Sequence, residues 1–153
     1  MRRLWERMAA IYGHRWTSAF GLSAEAKGDD GVLKLTVAGD TWARGLSGIP
    51  ESLIAAGLER CIKSADPWPP TLPEFRAHCI GIPSLGAVVQ EVRDFQRGAW
   101  SPFTRLLTID SFALRRMSND EAERAIRFAY ENAREVVMRD GPACLQLSYA
   151  GIA

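Results

Sequence analysis

The 153 residues are enough to bury a hydrophobic core, as one domain or as two small ones. Hydrophobic residues at 47% and charged residues at 24% are ordinary for a globular protein and exclude wholesale disorder. Nineteen basic and 18 acidic residues leave a net charge of +1, which gives no sign of bulk nucleic-acid binding, although Arg far outnumbers Lys. No apolar run reaches the roughly 20 residues of a membrane span, and the charged N-terminus lacks the apolar core of a signal peptide, so we expect a cytoplasmic protein.

Few residue types suited to catalysis are present. The chain has two His and three Cys, and the spacing of Cys61, Cys79 and Cys144 includes no CxxC pair, which favours a reduced protein without a metal site. His78 and Cys79 would point about 100° apart on a helix, so Cys79 is predicted to be a buried apolar side chain. No phosphate-binding loop and no desolvated carboxylate pair is evident. We therefore predict a protein that is not an enzyme and uses no cofactor.

The first part of the chain is predicted to be helical, with one ambiguous stretch. Two apolar lines at helical spacing predict a helix over residues 2–16. Residues 21–31 are turn-rich, and the Gly-Asp-Asp-Gly segment at 28–31 is predicted to be a surface turn rather than a metal loop. Residues 32–37 alternate like a strand, but no second strand is evident nearby to pair with them. A helix over residues 33–46 is therefore favoured, with the strand kept as the alternative.

Prolines interrupt the middle of the chain. Pro50 suits the first helical position, and apolar spacing predicts a helix from there to about residue 64. The Pro-rich link of residues 66–73 then forces an extended backbone. Thr71 and Glu74 have the spacing of a capping box at the start of a short helix that ends near residue 80. The residues of this structural motif are Trp68, Pro69, Pro70, Leu72, Glu74, Phe75 and Cys79, of which Trp68, Leu72 and Phe75 are expected to pack inward.

Three helices are predicted downstream of the link. Ser84 is placed to cap a helix over residues 85–97, and apolar spacing predicts another over residues 102–117. A second capping box, from Ser118 to Glu121, starts a long helix that stops before Gly141-Pro142. The chain is therefore predicted to be all-α, with six or seven helices in two small sub-bundles, residues 1–66 and 67–153, joined by the Pro-rich link.

Arginines recur along the last predicted helix. Spacings of three and four residues place them in one stripe, away from the Ala/Ile/Val line. Their planar guanidinium groups suit phosphate or carboxylate groups of a partner. The alternative, which helix-surface behaviour favours, is a solvated face that pairs with itself through Asp120–Arg124, Glu123–Arg127 and Glu135–Arg139. The candidate partner-binding residues are Arg115, Arg116, Arg124, Arg127, Glu131 and Arg134.

One further pattern spans nearly the whole chain. Trp42-Ala43-Arg44-Gly45-Leu46 and Ile54-Ala55-Ala56-Gly57-Leu58 precede the tract Trp68–Cys79, and Gly81-Ile82-Pro83-Ser84-Leu85 opens the next helix. In order and spacing, residues 4–143 resemble the replication protein P family of lambdoid phages, the helicase loaders that lack an ATPase domain.

This resemblance implies a function in DNA replication. Such proteins bind the host replicative helicase hexamer and bring it to an origin that is bound by the phage initiator. Residues 82–140 would then contact the helicase and the N-terminal region the initiator, with single-stranded DNA as a secondary partner and no role for a membrane. A loader of this kind needs no cofactor, since a higher affinity for the open ring is sufficient to favour opening.

Other functions stay open on the sequence. A phage protein that inhibits a host replication enzyme would begin with the same complex as a loader. A helix–turn–helix DNA-binding module over residues 51–80 is disfavoured, because the link between its helices is Pro-rich and too long for the usual turn. Its second helix also carries few side chains that could read bases, chiefly Arg76 and His78. An enzyme without a recognisable motif is the third alternative.

Overall fold

The computed structural model describes residues 1–94 and 100–145. It is predominantly helical, which confirms the predicted fold class, and it has eight α-helices and one two-stranded sheet in the described residues. The chain divides into two compact units, Met1–Ile80 and Gly81–Ala153. The Pro-rich link of residues 66–73 therefore lies inside the first unit, where it joins two helices of the same bundle. No helix in the described part of the chain is long and apolar enough to cross a bilayer.

The first unit contains five helices and a hairpin. The elements are α1 (Arg2–Tyr12), α2 (His14–Phe20), β1 (Glu25–Lys27), β2 (Leu33–Leu35), α3 (Val37–Gly45), α4 (Glu51–Lys63) and α5 (Leu72–Ile80).

A break at Gly13 divides the helix that was predicted over residues 2–16. Gly13 has a φ of 58° and a ψ of −134°, and its N–H still bonds to the carbonyl oxygen of Ala9. A residue with a side chain rarely adopts this positive φ, whereas glycine does so at little cost. The continuous helix was therefore the wrong prediction, and the chain turns into α2 at this point.

The prediction of a helix over residues 33–46 is wrong in its first part. β2 pairs antiparallel with β1, with Glu25 opposite Leu35 and Lys27 opposite Leu33. The Gly-Asp-Asp-Gly segment is the surface turn of this hairpin, and Asp30 supports it by accepting from the Val32 N–H at 3.1 Å. The short polar strand β1 gave no apolar alternation in the sequence, so the pairing partner of β2 was missed. Helix α3 begins only after the hairpin.

An aromatic cluster forms the core of the first unit. Trp5, Trp16 and Trp42 are almost fully buried and meet edge to face, with ring centroids 5.1 to 6.0 Å apart. Phe75 of α5 joins them, 5.7 Å from Trp42. Edge-to-face contacts set the positive ring edge against a negative ring face, which adds to the gain from burial. This cluster ties α1, α2, α3 and α5 to one centre.

Close packing of α4 against α5 completes this unit. A Cβ atom built on Gly57 would lie 2.6 Å from the Cys79 Sγ, so the glycine lets the two helices approach. Glu74 accepts hydrogen bonds from the N–H and the hydroxyl of Thr71, at 2.7 and 2.8 Å, as the reaching-back half of the predicted capping box. Cys79 is buried, which confirms its predicted role as an apolar core residue.

Trp68 departs from the prediction that it packs inward. It is 64% exposed, and the guanidinium of Arg15 covers its ring at 4.8 Å from the ring centroid. The same Arg15 donates a hydrogen bond of 2.6 Å to the Pro67 carbonyl oxygen. Of the other two side chains that were expected to pack inward, Phe75 is buried and Leu72 is half-buried. Among the prolines of the motif, Pro70 is buried and Pro69 is half-buried.

The second unit is arranged along one long helix. Its described elements are α6 (Leu85–Arg93), a 3-10 turn (Thr104–Leu106), α7 (Ser111–Leu114) and α8 (Asn119–Asp140). Ser84 caps α6 as predicted, accepting from the Ala87 N–H at 3.3 Å. The predicted extension of α6 to residue 97 falls partly on residues 95–97, which lie outside the described residues.

The helix that was predicted over residues 102–117 is wrong. Only the 3-10 turn and the four-residue α7 are helical in this segment, because Leu107 is extended and ends the turn. The Asp110 carboxylate then accepts from the N–H groups of Phe112 and Ala113, which starts a new helix. The apolar spacing nevertheless identified buried positions, since Phe103, Leu107 and Leu114 lie in the core.

Candidate partner-binding site

Helix α8 carries most of the candidate partner-binding residues, and its sequence fixes where it begins and ends. Ser118 accepts from the Glu121 N–H at 3.4 Å, while the Glu121 carboxylate accepts from the Ser118 N–H at 2.9 Å, so the predicted capping box is confirmed. Gly141, with a φ of 82°, ends the helix. One face is buried and comprises Ile126, Ala129, Ala133 and Val137.

Two contacts join α8 to α6 and to the residue just before it. The Tyr130 hydroxyl donates a hydrogen bond of 3.0 Å to the Pro83 carbonyl oxygen, just before α6. Arg93 of α6 lies 3.5 Å from the Glu123 carboxylate. Arg124 and Arg127 are both exposed, and Arg127 lies one turn after Glu123, on the same side of the helix as these two contacts.

The predicted ion pairs within α8 form only in part. Arg127 pairs with Glu123 at 3.9 Å, and the same carboxylate also contacts Arg93. Arg124 donates instead to the carbonyl oxygen of Asp120, at 3.3 Å. Exposed pairs of this length contribute little free energy. The self-paired interpretation therefore accounts for Arg127 but leaves the side chain of Arg124 without a carboxylate partner within the described ranges.

Arg139 does not form the predicted pair with Glu135 as its main contact. Its guanidinium binds the neighbouring Asp140 through two hydrogen bonds of 2.7 and 3.0 Å, and this contact holds the pKa of the Asp140 carboxyl below its usual range. Glu135 acts on Arg139 only through its charge. The basic residue nearest the C-terminal end of α8 is thus occupied by a local partner.

The remaining candidates do not all share one surface position. Glu131 is exposed, whereas Arg134 is half-buried, and its charge acts on the Tyr130 hydroxyl. Arg115 follows α7 directly, and the Arg116 guanidinium lies 5.9 Å from the centre of the Phe112 ring. Phe112 itself is 71% exposed. An exposed aromatic ring beside an arginine therefore lies just before the start of α8.

Phe128 is a functional candidate that the sequence analysis missed. It is 68% exposed on α8, one turn after Arg124 and next to Arg127. It lies at an apolar groove of about 590 Å³. The signal that could have found it was a large aromatic residue at a position that helical spacing assigns to the polar side. The residues that line this groove also include Leu106, Ala125, Ala129, Asn132, Ala133 and Val136.

The first unit contains a contact between a cysteine and a histidine, the pair of residue types that a nucleophilic cysteine uses. The Cys61 Sγ lies 3.8 Å from the His78 Nδ1. Burial raises the pKa of the Cys61 thiol, whereas burial and the charge of Arg60 lower the pKa of His78. These directions favour a neutral thiol beside a neutral imidazole. A nucleophilic cysteine needs the opposite state, a thiolate beside an imidazolium, so this pair is not poised for attack.

Metal ligands and similarity to other proteins give no further information about this site. Within residues 1–94 and 100–145, no group of three or more His, Cys, Asp or Glu residues is arranged to hold a metal ion. Comparison of the chain with models of protein families, with curated proteins and with solved structures gives no match.

Proposed function

We propose that this protein is a phage or prophage replication protein that binds the host replicative helicase hexamer and loads it at an origin. The observation that carries the proposal is the N-terminal half of α8, which exposes Phe128, Arg124 one turn before it, and Arg127. The resemblance of residues 4–143 to the replication protein P family supports the choice of partner. In this proposal the protein works in the bacterial cytoplasm, without a cofactor and without catalysis of its own.

The composition of this surface suits a protein partner better than a nucleic acid. Aromatic residues and arginine are enriched at the centres of protein interfaces, where a few of them supply most of the binding free energy. Phe128 offers apolar area next to a groove, and Arg124 offers a guanidinium fork for a carboxylate. The net charge of +1 gives no long-range attraction to phosphate, so single-stranded DNA is a secondary partner.

Loading by such a surface requires no hydrolysis. A protein that binds the open ring more tightly than the closed ring shifts the population toward the open ring by its difference in affinity. An aromatic anchor and arginines on a rigid 22-residue helix can contact a seam between two helicase subunits that is accessible only in one ring state. The first unit would contact the phage initiator, as the resemblance implies.

Two measurements on the full chain test this function. In the first, the purified host helicase is captured on the immobilised protein, and charge reversal by Arg124→Glu with Arg127→Glu is expected to reduce capture. Reversal of Arg2 and Arg44, exposed arginines of the first unit, is the matched control and should leave capture unchanged. Circular dichroism checks that each variant keeps its helical content.

The second measurement separates a loader from an inhibitor. The helicase is supplied with a circular single-stranded template, and strand-bound helicase is counted with and without the protein. A loader increases the bound fraction, and the Arg124→Glu, Arg127→Glu variant does not. Helicase capture that survives charge reversal would contradict the proposed surface, and capture with reduced loading would contradict the proposed function.

A further inference from the structure

A second surface, on the first unit, has the features of a docking groove. It runs between α1 and α4 and encloses about 530 Å³. Its floor is apolar, and one end of it exposes Ile62, which is 54% accessible to solvent. The apolar residues of the floor are Leu4, Ile11, Ile54, Leu58 and Ile62. The residues that line it belong to the first unit, and the groove does not depend on the proposed helicase contact.

The two rims of the groove carry opposite charges. Arg3 and Arg7, four residues apart on α1, form a basic rim. Glu51 and Glu59, eight residues apart on α4, form an acidic rim. All four side chains are exposed, and none of them forms an ion pair within the described part of the chain. These unpaired charges on opposite sides of an apolar floor define the charge pattern of an occupant.

We propose that the α1–α4 groove binds an amphipathic helix of a partner protein. This helix has an apolar face, an acidic edge that lies against Arg3 and Arg7, and a basic edge that lies against Glu51 and Glu59. The 13-residue α4 is about 20 Å long, so a partner helix of three to four turns matches the groove. Its apolar residues would cover Ile62, as helix-in-groove recognition uses side chains spaced by three and four positions.

Charge complementarity distinguishes this occupant from a helix that is merely apolar. Like charges placed across an interface weaken binding, and opposite charges fix the orientation of the partner. A helix with two basic edges would place like charge against α1, and one with two acidic edges would place like charge against α4. Only a helix with one edge of each sign satisfies both rims at once.

The test uses three fluorescently labelled 14-residue helical peptides, which share the same Leu-based apolar face and differ in the charges along its two edges. The mixed peptide has one Glu edge and one Lys edge, the second has two Lys edges, and the third has two Glu edges. With the full wild-type chain we expect fluorescence anisotropy to show the mixed peptide binding roughly fivefold to tenfold more tightly than the others. Equal affinities, or no binding of the mixed peptide, would overturn the proposal.

Rim variants make the test reciprocal. Arg3→Glu with Arg7→Glu leaves two acidic rims and is expected to shift the preference to the peptide with two Lys edges. Glu51→Lys with Glu59→Lys leaves two basic rims and should shift it to the peptide with two Glu edges. An unchanged order of affinities in these variants would contradict docking in this groove. All four positions are exposed, so the fold is expected to persist, and circular dichroism verifies it.

The floor and the identity of the occupant have their own controls. Ile62→Ser should weaken all three peptides, whereas Val32→Ser, at a similarly exposed hairpin position, should weaken none. Equal effects of these two substitutions would overturn the assignment of the floor. Sedimentation velocity of the chain alone then tests for a second copy. Self-association that the Arg3→Glu, Arg7→Glu variant abolishes would show that the occupant is this same chain and would also overturn the proposal.

Discussion

The hydroxyl of Tyr130 donates a hydrogen bond of 3.0 Å to the main-chain carbonyl oxygen of Pro83, 47 residues earlier in the chain. The Tyr130 ring also meets Phe103 edge to face, with centroids 5.4 Å apart. One side chain thus connects α8 to the start of α6 and to the segment around the 3-10 turn.

Removal of that hydroxyl by Tyr130→Phe is expected to destabilise the second unit by about 1 kcal/mol, because a partly buried carbonyl loses its donor while the ring contact persists. Urea unfolding followed by circular dichroism measures the change. Phe128→Ala on the exposed side of the same helix is the control and should change the unfolding free energy by less than about 0.5 kcal/mol. A loss for Tyr130→Phe no larger than that of the control would contradict the role of this bond.

The Ser118 cap gives a prediction about the start of α8. Ser118→Ala leaves the N–H of Glu121 without its side-chain acceptor and is expected to cost about 1 kcal/mol of stability. Thermal unfolding provides the measurement. Ser52→Ala, an exposed serine inside α4, serves as the control because it removes a hydroxyl without removing a cap. The two variants should differ in melting temperature, and equal shifts would argue against the cap.

Two helical glycines are expected to respond in opposite directions to alanine. Gly57→Ala places a Cβ atom 2.6 Å from the Cys79 Sγ and 3.2 Å from Cys79 main-chain atoms, so it should destabilise the first unit by about 1–3 kcal/mol. Gly86→Ala meets open space on α6 and should stabilise its helix by about 0.5–1 kcal/mol. Chemical denaturation of both variants tests the pair, and a neutral Gly57→Ala would contradict close packing of α4 on α5.

The pH dependence of stability is expected to contain a contribution from His78. Burial lowers the pKa of His78 in the folded chain, the charge of Arg60 lowers it further, and Glu74 opposes them. The unfolded state therefore binds a proton more readily below a pH of about 6.5. The contribution of His78 to the free energy of unfolding is fully present above that pH, and it is lost as the pH falls through the pKa of His78 in the folded chain.

Urea midpoints at pH 7.5 and pH 5.5 measure this contribution. His78→Asn should reduce the difference between the two midpoints, because it removes the titrating ring. His14→Asn, at an exposed position on α2, is the matched control and should keep the wild-type difference. If His78→Asn retained that difference as well, the lowered pKa would not be contributing to stability.

The proposed helicase contact predicts that neighbouring residues on α8 contribute unequally to the binding free energy. Phe128→Ser is expected to weaken helicase binding about tenfold, because interface anchors of this kind account for more than about 1 kcal/mol each. Glu131→Gln, one turn away from Arg127 and also exposed, should change the affinity by less than about twofold. Surface plasmon resonance with immobilised helicase compares the two. A larger loss of affinity for Glu131→Gln than for Phe128→Ser would contradict a helicase contact at the apolar groove.

Local sequence signals predicted those parts of the fold that depend on neighbours in the chain. The capping box at Ser118, the cap at Ser84 and the helix end at Gly141 each involve residues within four positions of one another. Such signals identified α4, α5 and α8 nearly to the residue. They could not identify the hairpin, since the short polar β1 becomes a strand only through its bonds to β2.

The candidate site was predictable only in part for the same reason. Spacing placed Arg124 and Arg127 on one stripe, and the structure keeps them adjacent. Spacing did not show that Arg124 would contact the carbonyl oxygen of Asp120 in place of its carboxylate, because the side-chain conformation decides this. Nor did spacing show that Phe128 stays exposed, because this depends on which elements pack beside α8. Trp68 shows the same limit, because Arg15, whose guanidinium covers its ring, lies more than 50 positions earlier in the chain.

The sequence by itself determined a predominantly helical chain without bulk charge, and it located the caps of α6 and α8. Periodicity and capping are sufficient for this, because they act over a few residues. The tertiary structure alone decided the break at Gly13, the pairing of the hairpin and the two exposed grooves. These features arise where distant segments meet, since burial and charge pairing depend on distances in space rather than on spacing along the chain.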